Sequence, residues 1–210
     1  STIIESGATV VIPDGKYLLD GITQTLHIIC DVDSKAADFV VPASYNGEVI
    51  RVGEDRANYY SYNMNVTLPN TYKPTGSNFA GTGSTGVRIA NLNSSTVKFG
   101  RINYFENLLL IGGIGAGNAY NKFYLNMLAY GKKLLSIIPD VGGWANDNKF
   151  FGGTLQIQSV SGVRLAGFYQ LYIDGTNSTV ADNEFFGVSL EGAGADDLIY
   201  MKSAINNKIY

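Results

Sequence analysis

An Asn standing two residues ahead of a large apolar residue recurs through the second half of the chain. The copies are Asn103-Tyr-Phe, Asn121-Lys-Phe, Asn148-Lys-Phe, Asn183-Glu-Phe and Asn207-Lys-Ile, separated by 18, 27, 35 and 24 residues. Two of them align well beyond the triplet: Asp147 to Gly152 (DNKFFG) matches Asp182 to Gly187 (DNEFFG). Leu155 then matches Leu190, and Val163 and Leu165 match Leu198 and Tyr200, without a gap. A unit that returns roughly every 20 to 30 residues is a solenoid signature, each coil covering the apolar residues of its neighbours. At the period of two that strands impose, Asn148 shares a face with Phe150, and Asn183 with Phe185. Stacked inward, the Phe residues predict an aromatic column. The Asn amides predict a ladder that satisfies polar groups at a bend.

The repeat is of strands. Short apolar runs such as TVVIP, LHIIC, DFVVP, EVIRVG, GVRIAN, STVKFG and TLQIQS are rich in β-branched residues and bounded by Gly, Asn, Asp or Ser. Only residues 121–140, NKFYLNMLAYGKKLLSIIPD, have a pattern that fits a helix about as well as strands. Composition agrees: 25 Gly, 14 Tyr, 10 Phe and 19 Asn among 210 residues describe many tight turns and flat side chains. The expectation is an all-β chain, a parallel β-helix or solenoid of roughly eight coils about 4.8 Å apart. Residues 1–210 read as one domain, with 69–86 as a long loop. The start, STIIESGATVVIPDG, has no basic leader ahead of an apolar segment, so the chain reads as a mature piece or a fragment of a longer protein.

Several functional classes are disfavoured. With 15 Lys+Arg against 18 Asp+Glu, the net charge of -3 does not suit a basic nucleic-acid binder. No apolar run approaches the roughly 20 residues of a membrane-spanning helix. The single Cys30 and single His27 leave no disulfide framework and no Cys- or His-based metal site. The Gly-rich LLLIGGIGAGNAYNKF lacks the spacing of a phosphate loop, and Asp31-Val-Asp33 lacks the remaining ligands of a calcium loop. No metal and no cofactor is expected.

TGVRIANLNSSTVKFGRINYFENLLLIG, the NKF repeats, GGWANDNKFFGGTLQI and the opening ATVVIPDGKYLLDG together resemble bacteriophage tailspikes of the pectin-lyase-like family. The resemblance runs from about Gly7 to Tyr210 and rests on coil signatures, which imply a right-handed parallel β-helix. It implies a homotrimeric spike on the virion tail, extracellular and attached to other tail proteins. Such a spike recognises, and commonly cleaves, a bacterial surface polysaccharide, either capsule or O-antigen. The family has no fixed catalytic motif, so the resemblance assigns no residue.

Site candidates therefore come from the repeat. If Asn148 and Phe150 point inward, their neighbours form two outward columns: Tyr120, Asp147, Asp182, Asn206, and Lys122, Lys149, Glu184, Lys208. Asp147 against Asp182 is a carboxylate pair of the kind glycoside hydrolysis uses, one acid and one ionised group, with Glu184 as a third member. The same residues also suit a solvated ladder of ion pairs along a coil edge. Glu191, Asp196 and Asp197, in the loop-like EGAGADD, form an alternate acid set. Trp144 suits either a stacking platform for a sugar ring or a cover over a coil corner. A polysaccharide lyase would need a base and a cation beside the uronate, for which Lys149, Arg164, Tyr169 and Tyr172 are the candidates. The alternative to both enzymes is a glycan-binding or fibre segment of the same fold.

Overall fold

The computed structural model describes residues 2–4, 9–54, 56–77, 82–113, 115–157, 165–176, 178–192 and 195–210. Among the described residues every regular element is a strand, and all the strand pairs are parallel. The strands lie in four sheets, numbered here in the order a full coil visits them. Sheet 1 has eight strands, including Glu48–Val52, Thr85–Ile89, Asn107–Ile111, Lys133–Ile137, Leu165–Asp174 and Ala195–Lys202. Sheet 2 has six, among them Leu92–Asn93, Gly117–Ala119, Trp144–Asn146 and Thr179–Ala181. Sheet 3 has eight, including Asn65–Thr67, Thr96–Lys98, Lys122–Tyr124, Lys149–Phe151, Glu184–Phe186 and Lys208–Ile209. Sheet 4 has seven, including Asn70–Tyr72, Ile102–Asn103, Met127–Ala129, Thr154–Gln156 and Ser189–Glu191.

Successive strands in the chain fall in successive sheets, and each pairs with its counterpart one coil above and one below. That is a right-handed parallel β-helix of eight coils. Among the described residues the first two coils have three strands each, and sheet 2 begins in the third coil with Ser61–Tyr62. Residues 121–140 form three strands in three different sheets. Within 69–86, Asn70–Tyr72 and the start of Thr85–Ile89 are paired strand, which leaves the connection between them shorter than the sequence suggests.

The core follows the period-two pattern. Val66, Val97, Phe123, Phe150 and Phe185 occupy one register column of sheet 3, buried to within 1%. Phe123 and Phe150 have ring centroids 5.0 Å apart, and Phe150 and Phe185 stack at 4.6 Å. Rings at that separation add contact energy to what their burial already supplies.

The bend between sheets 2 and 3 explains the Asn repeat. A residue with left-handed backbone turns the chain there: Asn63, Ser94, Tyr120, Asp147, Asp182 and Asn206 have φ between 52° and 58°. The next residue points inward. Asn148 and Asn183 are fully buried, and the Oδ1 of Asn183 accepts both the backbone N–H of Asn148 (3.1 Å) and its Nδ2 (2.9 Å). Asn121 repeats this on Asn148, and Asn183 on Asn207. The remaining Nδ2 hydrogens reach sheet 2 carbonyls: Asn121 to Leu92, Asn148 to Asn118, Asn183 to Ala145. Ser95 heads the ladder, its N–H donating to Asn121 Oδ1 at 3.0 Å. Asn103, whose triplet looks alike in sequence, ends a sheet 4 strand and belongs to a different corner. Its 18-residue spacing reflects that difference, whereas Ser95 precedes Asn121 by 26 residues.

Candidate functional site

The outward positions on either side of the sheet 2–3 bend stand as columns, as the repeat requires. Lys122, Lys149, Glu184 and Lys208 are consecutive partners in sheet 3. Tyr120, Asp147, Asp182 and Asn206 follow one another at the left-handed position. A groove of about 380 Å³ runs between the columns, lined by Tyr120, Asp147, Lys149, Asp182, Glu184 and Lys208.

The charges in it are not equivalent. Glu184 is partly buried, with side-chain exposure of 21%, and lies 3.3 Å from Lys149 Nζ and 3.8 Å from Lys208 Nζ. The Tyr210 hydroxyl donates to its Oε1 at 3.4 Å. The ion-pair ladder is thus Glu184 with two lysines. Asp147 and Asp182 stand outside it: both are exposed, and neither carboxylate has a hydrogen-bond or ion-pair partner among the described residues.

Backbone geometry accounts for part of this. A left-handed residue is best tolerated as Asn or Asp when it is not Gly. Asn fills the position at residues 63 and 206, so the turn is served without charge. Asp at two adjacent coils, about 4.8 Å apart along the axis, introduces like-charge repulsion that the turn does not need.

Beside the charged column lies one that sequence reasoning missed. Tyr124, Phe151, Phe186 and Tyr210 stack on the outer face, with centroid separations of 5.1, 5.4 and 4.8 Å. The signal was present in the third residues of Lys-Phe-Tyr, Lys-Phe-Phe, Glu-Phe-Phe and Lys-Ile-Tyr. Only the register shows that these rings stay outside while the middle ones go in.

The other candidates sit elsewhere. Trp144 is on sheet 2, across the bend from the groove, and packs over Gly117, where an added Cβ would come within 2.4 Å of the indole. Tyr60 lies 5.9 Å from its ring. Tyr169 and Tyr172 are in sheet 1, clustered with Tyr200; Tyr172 and Tyr200 stack at 4.7 Å. Lys133 Nζ lies 3.9 Å from the centre of the Tyr172 ring, and the Tyr172 hydroxyl donates to Asp174 at 3.2 Å. Burial first, and then the Asp174 charge, push the Tyr172 hydroxyl up to about 12. Burial likewise pulls the Lys133 ammonium down. EGAGADD is not a single loop: Glu191 ends a sheet 4 strand, and Asp196 and Asp197 lie in a sheet 1 strand. The side chains of Asp196 and Asp197, and all of Arg164, lie outside the described residues.

Among the described residues no group of three or more His, Cys, Asp or Glu is placed to hold a metal ion. No family profile, curated protein or solved structure matches the chain.

Proposed function

We propose that this β-helix is the body of a tailspike-like receptor-binding protein that binds and depolymerises a bacterial surface polysaccharide by glycosidic hydrolysis. The observation that carries the reading is the pair of unpartnered carboxylates, Asp147 and Asp182, on adjacent coils of a groove flanked by stacked aromatic rings. Carboxyl groups about 5 Å apart, a separation that the coil spacing permits, suit the retaining mechanism, with one as proton donor to the leaving oxygen and the other as nucleophile. Glu184, fixed by Lys149 and Lys208, positions charge along the groove and stays out of the proton transfer. In this reading the protein works on a virion tail as a homotrimer bound to other tail proteins.

Asp→Asn is the fitting test, because Asn keeps the left-handed turn. Purified capsular and O-antigen polymers are incubated with the protein, and reducing ends and unsaturated uronates are measured. New reducing ends without unsaturation are expected. Asp147→Asn and Asp182→Asn should each lower the rate by on the order of 100-fold or more while polymer binding persists. Unsaturated products would replace hydrolysis by elimination. Binding without any product would make the chain a glycan-binding segment, and full activity in both variants would remove the pair from the chemistry.

A further inference from the structure

The outer face of sheet 3 continues past the acidic groove toward the N-terminus. A larger depression there, about 660 Å³, is lined by Asn63, Asn65, Ser94, Thr96, Lys98 and Tyr124, with the edge of Met64. Tyr124 is the first ring of the outer aromatic column, 41% exposed and held in orientation by stacking on Phe151. Lys98 is its register partner on the preceding coil.

The cations on this face differ in one respect. Lys149 and Lys208 are engaged by Glu184, whereas Lys98 and Lys122 are exposed and have no ion-pair partner among the described residues. Among the described residues no carboxylate is ion-paired with Lys98. Asp31 and Asp33 border an adjoining depression of about 310 Å³ that also includes Lys98. Asp31, however, accepts the Asn65 N–H at 2.8 Å, and Asp33 is paired with Lys35.

We infer that this depression is a subsite for an acidic sugar, so that the polymer presented to Asp147 and Asp182 is an anionic, carboxylate-bearing glycan. The sugar ring lies on Tyr124, its carboxylate on the Lys98 ammonium, and its hydroxyls on the Asn63 and Asn65 amides. A charge-assisted contact to carboxylate is about twice as strong as a neutral one, which makes Lys98 the residue that selects for the acid. The subsite is two coils from Asp147, about 10 Å along the axis. The acidic unit therefore sits beside the scissile bond and not within it. The choice of a glycan as ligand rests on the proposed function; the presence of an anion-selecting subsite does not require cleavage.

The test measures dissociation constants for acidic capsular polymers and for the same polymers with their carboxyl groups reduced to alcohols. Wild type should bind the native acidic polymer on the order of tenfold more tightly than its reduced form. Lys98→Gln should lose that preference, while Lys16→Gln, an exposed lysine in sheet 4 with the same change of charge, should keep it. Equal binding of native and reduced polymers, or an undiminished preference in Lys98→Gln, overturns the subsite. If those polymers are still cleaved, hydrolysis stands without it. Lys98-dependent binding with no cleavage keeps the subsite and overturns the hydrolase, and no binding to any polymer overturns both.

Discussion

Asn148 shows how much a coil bend asks of one side chain. Its Oδ1 accepts from Asn121, and its Nδ2 donates to Asn183 and to the Asn118 carbonyl, all out of reach of water. Asn148→Ala removes these bonds and strands buried donors and acceptors on both neighbours. The expected loss is about 3 kcal/mol in urea unfolding. Replacing Asn126, which is exposed on the adjoining connection, should change stability by less than about 0.5 kcal/mol. The Asn148 and Asn183 copies were legible because a buried amide tolerates no substitute without orphaning partners. Ser95 was not, since a hydroxyl can head the ladder while breaking the visible pattern. Asn103 misled for the opposite reason: the triplet repeats, but its place in the coil does not.

At the level of strands, the inward column could be read from alternation, and the outer columns only in part. Lys122, Lys149 and Glu184 came out in register because charges at a fixed offset from a buried Phe must face solvent, and Lys208 continues their column. The aromatic residues two places further on look like core and lie outside, because their neighbours above and below are also rings and share the exposure. The sheet 1 tyrosines carry a testable consequence. The Tyr172 hydroxyl is raised to about 12 from an ordinary value of 10.0, so between those values the unfolded chain releases its proton first. Stability is unaffected by this group below about pH 10 and falls as pH rises toward about 12. Tyr172→Phe should flatten that alkaline decline in pH-dependent unfolding. An unchanged slope would show that burial and the Asp174 charge do not hold the proton.

Across the whole molecule, each coil touches only the coils beside it, so stability is a chain of local terms and distant coils can open separately. Two single residues report on this. Cys30, buried in the second coil with its thiol pushed up by burial and the charge of Asp31, should react with a thiol reagent only when that region opens. Trp144, the only Trp, reports on the sixth coil. Val66→Ala, in the third coil, should speed Cys30 labelling while leaving Trp144 emission unchanged. Simultaneous loss of both signals would mean that the coils unfold as one unit.

What the chain determined by itself was the architecture: strands of alternating pattern, a bend that needs a buried amide, and a repeat that can bury its apolar face only on another copy of itself. Those are local and nearest-coil constraints, written into adjacent residues. Which carboxylates remain without partners, which rings stay outside, and that Trp144 packs on Gly117 rather than lining the groove were decided only in three dimensions. Each depends on the register between strands separated by 24 to 35 residues of intervening chain, and insertions of variable length in the other corners hide that register from any reading along the sequence.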